Sequence, residues 1–104
     1  MQVWAEYTLE NPPRVIRYQF DSVEDMDLFI GQVQALKDSL TSLTQAVPLL
    51  PDPNSFEVAV ACHMWLDDVA AFILRWGVNF VPPDVQVAVH RVQDIIGRPH
   101  TSFV

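Results

Sequence analysis

The apolar and polar residues alternate in two short segments at the start of the chain. Residues 2–10 alternate, and residues 14–20 repeat the alternation. This period of two is typical of strands with one buried face. The sequence Asn11-Pro12-Pro13 between them lacks the amide donors of a strand, so the chain must turn there. The pattern predicts an N-terminal β-hairpin. Because two strands alone are only marginally stable, the hairpin must pack on helices or pair with another strand edge.

A long amphipathic helix is predicted after the hairpin. Its apolar residues recur at alternating spacings of three and four: Met26, Phe29, Val33, Leu36, Leu40, Leu43 and Val47. Ser22 is placed to cap the helix, with Asp25 three residues later, and Pro48 requires an end near Ala46. The flanking positions lack the complementary charges of a coiled coil, so we expect this apolar face to pack inside its own domain.

Residues 56–76 allow two interpretations. The stretch 56–62 alternates like a third strand, whereas Asp52-Pro53 resembles a helix N-cap followed by a first-turn proline. We predict a helix over about 54–76 and keep the strand as the alternative. The helix would bury nearly everything except one thin stripe: Glu57, Ala61, Met64, Asp68, Ala71 and Arg75. Gly77 is expected to end it in a Schellman motif.

A third helix is predicted to start at Pro82-Pro83-Asp84 and to end before Gly97 and Pro99. The predicted fold class is therefore α+β, with an N-terminal β-hairpin packed on three α-helices. The alternative is a three-stranded sheet with 56–62 as its third strand. We expect one domain over residues 1–104, in which 99–104 form a short C-terminal tail.

The charge narrows the classes of partner. Thirteen acidic residues against six basic ones give the 104-residue chain a formal net charge of −7. Such a chain repels nucleic-acid phosphates and anionic membranes, so we expect neither, and a partner attracted by charge should be basic. The single cysteine, Cys62, and the lack of a basic, apolar leader at the N-terminus predict a cytoplasmic protein.

Few residues suggest catalysis. Cys62 and His63 are adjacent and cannot face each other on a helix or a strand. His63 and Asp67 have the spacing of two metal ligands on one helix face, but they supply only about half of the ligands that a metal site needs. The chain has no glycine-rich phosphate loop or nucleophile motif. We therefore predict no enzymatic activity, no cofactor and no metal.

Protein binding is the function that remains. The first helix begins in an acidic cluster: Asp21, Glu24, Asp25 and Asp27. In the register that points Tyr7 inward, the hairpin presents Trp4, Glu6 and Arg17 outward; the inverted register would bury Trp4. Trp and Arg commonly anchor protein interfaces. We predict these seven residues as the partner-binding set.

The leading hypothesis is a small acidic, non-enzymatic protein-binding module, such as an inhibitor or immunity-type protein that occludes a basic partner. The alternative is a homo-oligomer, such as a homodimer, that pairs through the open edges of its hairpin. A third hypothesis is weak metal-dependent activity at His63 and Asp67.

Overall fold

The computed structural model describes residues 2–10, 12–46 and 56–103. Two strands, β1 (Val3–Glu10) and β2 (Pro13–Phe20), precede three helices, α1 (Val23–Ala46), α2 (Phe56–Trp76) and α3 (Pro83–Ile95). This order confirms the predicted α+β class. The alternative third strand is wrong, because residues 56–62 belong to α2. The predicted N-cap Asp52 lies outside the described residues.

The chain forms two compact units, residues 1–34 and 35–104, and α1 contributes to both. In the first unit, β1 and β2 pair antiparallel from Glu10 opposite Pro13 to Val3 opposite Phe20. Pro12 lies in the turn, and Pro13 begins β2, a position in which a strand tolerates the missing amide donor. Asn11 is outside the described residues.

Aromatic packing holds the hairpin against the first part of α1. Tyr18 and Phe20 are buried, and each ring centroid lies 5.0 Å from that of the buried Phe29. Tilted aromatic pairs at this distance contribute about 0.5–1.5 kcal/mol beyond the burial of their area. The apolar face predicted from the sequence thus packs within the chain. Val47, its last predicted member, lies outside the described residues.

The start of α1 is capped as predicted. The Asp25 amide donates to Ser22 Oγ at 3.2 Å, and the Met26 amide donates to the Ser22 carbonyl at 3.1 Å. The Ser22 side chain therefore satisfies one of the amide groups that the first helical turn leaves without an intrahelical partner.

Replacing Ser22 with alanine is expected to lower the free energy of unfolding by about 1 kcal/mol, because the Asp25 amide loses its acceptor. Urea denaturation followed by circular dichroism measures the change. Ser39→Ala is the matched control, since Ser39 is exposed in the middle of α1. There alanine should be neutral or slightly stabilising through its higher helix propensity. Equal effects of the two substitutions would contradict the capping role.

In the second unit, α2 packs one face inward. Its buried residues are Val58, Cys62, Trp65, Leu66, Val69 and Phe72. The Trp65 indole Nε1–H donates to the Leu36 carbonyl oxygen of α1 at 2.9 Å, which satisfies the one polar atom of that buried side chain. Leu36 and Leu43 are buried as the heptad spacing predicts. Trp65 therefore fixes the second half of α1 to α2.

The burial of α2 differs from the prediction in one respect. The predicted stripe is exposed, but Phe56, Val60, His63, Asp67 and Leu74 are exposed as well. The expectation that nearly all other residues are buried is therefore wrong. The described elements cover only one side of α2, so apolar residues on the opposite side remain at the surface.

The two glycines that were predicted to end helices adopt different geometries. Gly77 has the expected positive φ of 96°, but its ψ of 159° is extended, so the predicted Schellman geometry is absent at this helix end. The Schellman motif instead ends α3. There the Arg98 amide donates to the Gln93 carbonyl at 2.9 Å, the Gly97 amide donates to the Asp94 carbonyl at 3.2 Å, and Gly97 has φ 71°.

Residues 98–103 have no regular secondary structure, but they are attached to α3. The buried Gln93 side chain bonds Thr101 twice, accepting from its amide at 3.0 Å and donating to its Oγ1 at 2.6 Å. The rings of His90 and His100 stack with centroids 4.4 Å apart. This segment is therefore part of the second unit.

Candidate protein-binding surface

Three residues of the predicted set meet on the outward face of the hairpin. Glu6 and Arg17 are cross-strand partners, with Arg17 Nε 3.8 Å from Glu6 Oε1. The Arg17 guanidinium also lies 5.0 Å from the centre of the Trp4 ring. Trp4 is 49% exposed, so the hairpin has the outward register and not the inverted one. Trp4, Arg17 and Glu6 form one contiguous group.

The contacts within this group are well defined but individually weak. An ion pair between exposed side chains contributes about 0–1 kcal/mol, and an exposed cation–π contact about 0.5–1 kcal/mol. These contacts restrain Arg17 between an acidic and an aromatic neighbour. A side chain that is already restrained loses less conformational entropy when a partner binds. The arrangement suits a contact surface.

The four acidic residues lie at the junction of β2 and α1. Asp21 follows the last residue of β2, and Glu24 and Asp25 lie in the first turn of α1. Asp21, Glu24 and Asp27 are exposed, whereas Asp25 is half-buried. Carboxylates at this end of a helix are stabilised by its positive pole. The cluster therefore combines a local role in helix stability with a negative surface.

The structure does not bring all seven predicted residues onto one face. Phe29 marks the side of α1 that packs on the hairpin. Asp27 precedes it by two residues and Glu24 by five, so they point about 160° and 140° away around the helix axis. Glu24 and Asp27 therefore face away from the hairpin, whereas Trp4 and Arg17 lie on its outward side. The first unit has two separate candidate surfaces.

The acidic surface also carries apolar residues that the sequence analysis missed. Val23 and Ile30 are both nearly half exposed. They lie four residues before and three residues after Asp27, which places all three on one side of α1. The signal was present in the sequence as apolar residues outside the 3–4 repeat. Exposed apolar groups beside carboxylates are a composition that protein partners recognise.

The candidate chemical groups of α2 differ in exposure. Cys62 is fully buried, and burial raises the pKa of its thiol, which disfavours the reactive thiolate. His63 and Asp67 are exposed. Within the described ranges, no cluster of three or more His, Cys, Asp or Glu side chains is arranged to hold a metal ion.

A groove of about 420 Å³ lies between the second half of α1 and α2. Among the described residues, its lining is mostly apolar, with two hydroxyl groups and one carboxylate. These residues are Ser39, Ser42, Leu43, Ala61, Met64, Trp65 and Asp68. The described part of the groove provides shape and apolar contact.

None of the helices in the described part of the chain is both long enough and apolar enough to cross a bilayer. No protein-family model matches the sequence, and no curated protein or solved structure shows significant similarity to it.

Proposed function

We propose that this chain is a small acidic protein-binding module without enzymatic activity, which acts as an inhibitor or immunity-type protein by occluding a basic partner. The observation that carries the proposal is the outward side of the first turns of α1. There the exposed carboxylates of Glu24 and Asp27 lie beside the exposed side chains of Val23 and Ile30. Carboxylates attract a basic partner, and apolar groups stabilise the complex once water is excluded.

The charge of the whole chain supports the same class of partner. The first 34 residues contain six acidic side chains against two arginines, and the chain as a whole carries −7. A field of this sign accelerates the approach of a basic protein and repels polyanions. Trp4 and Arg17 form a second candidate contact on the outward face of the hairpin, for a partner that reaches both surfaces.

Neutralising the acidic cluster is expected to slow partner association about tenfold at low salt, because the attraction that steers the approach is removed. The variant is Glu24→Gln, Asp25→Asn, Asp27→Asn. Its matched control, Asp38→Asn, Glu57→Gln, Asp68→Asn, removes the same charge from exposed positions of the second unit. Both variants and the native chain serve as baits in parallel captures from the host. Association rates for the captured protein are then measured between low and physiological salt.

The native chain and the control should capture the same basic protein, with association rates that fall as salt rises. The acidic-cluster variant should capture less of it and show a flatter salt dependence. Trp4→Ala in the same series tests whether the outward face of the hairpin contributes, through faster dissociation. Identical association rates for the cluster variant and the native chain at low salt would refute the acidic surface.

A further inference from the structure

The outward side of α2 carries large exposed apolar side chains at both ends and near its middle. Phe56 is 82% exposed, Met64 64% and Leu74 89%. A solvent-facing helix side is normally polar, so several large apolar side chains at the surface, with His63 and Asp67 between them, indicate a binding surface. The residues that share this side of the helix are Phe56, Val60, His63, Met64, Asp67, Ala71 and Leu74.

The order of these residues allows α2 to pair with an antiparallel copy of itself, with apolar residues facing apolar residues. Phe56 and Leu74 lie nine residues before and after position 65, and His63 and Asp67 lie two residues before and after it. If a second α2 lies antiparallel with a two-fold axis at that level, Phe56 faces the partner's Leu74. In the same register His63 faces the partner's Asp67, and the two Met64 side chains meet beside the axis.

The helical period supports this register. Phe56 and Leu74 are 18 residues apart, which is five full turns at 3.6 residues per turn. They therefore lie at the same lateral position on the helix, as two residues must if they are to face each other across a two-fold axis. Glu57 and Arg75 are also 18 residues apart, so Glu57 lies within about 3 Å, along the axis, of the level of the partner's Arg75.

We propose that this side of α2 binds a second copy of the chain, in a symmetric antiparallel dimer in which α2 packs on the partner's α2. The occupant follows from charge complementarity and from the self-complementary apolar ends. Each copy offers His63 and Glu57 in the first half of the helix and Asp67 and Arg75 in the second half. The interface uses residues of the second unit only and is distinct from pairing through hairpin edges.

The expected dimer is weak. The stripe from Phe56 to Leu74 is about 27 Å long, and one helix pair buries less than the roughly 800 Å² per partner of a standard stable interface. We expect a dissociation constant on the order of tens of micromolar. Sedimentation velocity from about 1 to 500 µM should therefore show monomer at the lowest concentrations and dimer at the highest.

Met64→Asp brings two carboxylates together at the axis and should weaken the dimer at least about 100-fold. Val87→Asp is the matched control, because Val87 is also more than half exposed but lies on α3. His63→Glu should weaken the dimer by facing the partner's Asp67 with a like charge. Adding Asp67→Lys to His63→Glu should restore it. Circular dichroism checks that each variant is folded.

Single cysteines test the direction of the helices. Met64→Cys should form a disulfide-linked dimer under mild oxidation, whereas Leu74→Cys alone should not. Two Leu74 positions lie about 27 Å apart in the antiparallel register, and a disulfide needs its Cα atoms within about 7 Å. A mixture of Phe56→Cys and Leu74→Cys should link into heterodimers. The native chain is the control, since its Cys62 is fully buried.

A chain that stays monomeric up to 500 µM overturns the proposal, as does a dimer that Met64→Asp leaves unchanged. The second result would favour hairpin-edge pairing or another surface. Self-linking of Leu74→Cys would show parallel helices and would overturn the antiparallel register. Concentration-dependent dimers with the expected cysteine pattern, lost in Met64→Asp and kept in Val87→Asp, would establish it.

Discussion

Trp65→Ala is expected to lower the free energy of unfolding by about 3–5 kcal/mol, the usual cost of truncating a buried tryptophan. Trp65 is 3% exposed, and its indole donates to the Leu36 carbonyl at 2.9 Å. The substitution leaves a cavity and removes the hydrogen bond that links α2 to α1. Urea denaturation followed by circular dichroism at about 1 µM protein measures the loss well below the concentration at which we expect dimers.

One variant separates the contributions of Trp65, and a second serves as its control. Trp65→Phe keeps most of the apolar volume and removes the donor, so its cost should be smaller, about 1–2 kcal/mol. Trp4→Ala is the matched control on an exposed tryptophan and should cost less than about 1 kcal/mol. If Trp4→Ala destabilised the chain as much as Trp65→Ala, the assignment of core and surface tryptophans would be wrong.

Phe29→Ala is the second substitution for which we expect a large effect, also about 3–5 kcal/mol. Phe29 is 2% exposed and is the residue of α1 against which both Tyr18 and Phe20 pack. Its removal takes away the aromatic contacts that hold the hairpin, and a two-stranded hairpin is not stable by itself. Denaturation monitored by circular dichroism and by near-ultraviolet signals of the hairpin aromatics measures the change.

The control for Phe29→Ala is Phe56→Ala, because Phe56 is also an α-helical phenylalanine but is largely exposed. At 1 µM its loss should change the free energy of unfolding by less than about 1 kcal/mol. A large effect of Phe56→Ala at this concentration would mean that the outer side of α2 is covered within the monomer. That result would also contradict the proposed dimer surface.

The two substitutions with large expected effects lie in different compact units, so together they test the prediction of a single domain. Phe29 belongs to residues 1–34 and Trp65 to residues 35–104, whereas α1 runs without interruption through both. We expect one cooperative transition that both substitutions shift, because the continuous helix links the two units. Two transitions, each moved by only one substitution, would replace the single domain with two independently folding parts.

Local signals predicted the elements of the fold well. The cap at Ser22 and the start of α3 at Pro83 follow from side-chain bonds to nearby amides and from proline geometry. These interactions span only a few residues, so the sequence carries them completely. The helix predicted over about 54–76 is present as Phe56–Trp76, in spite of its alternating first residues.

The candidate site was predicted only in part. The period of two put Trp4, Glu6 and Arg17 on one side of the hairpin but left the inverted register open. Their outward exposure and the pairing of Glu6 with Arg17 came from the structure. Asp27 points away from the hairpin because Phe29, on the other side of α1, packs against it. The sequence does not specify which side of α1 makes this contact. Val23 and Ile30 were not recognised, because an apolar residue is a surface group only when no other element covers it.

The sequence by itself determined the type, order and approximate extent of the strands and helices, since capping, proline and periodicity act over one or two turns. Only the tertiary structure decided which apolar residues are covered. It buried Gln93 beneath Thr101, placed the Schellman motif after α3 and left Phe56, Met64 and Leu74 exposed on α2. Burial depends on contacts between segments far apart in the chain, and the period of one helix does not specify them.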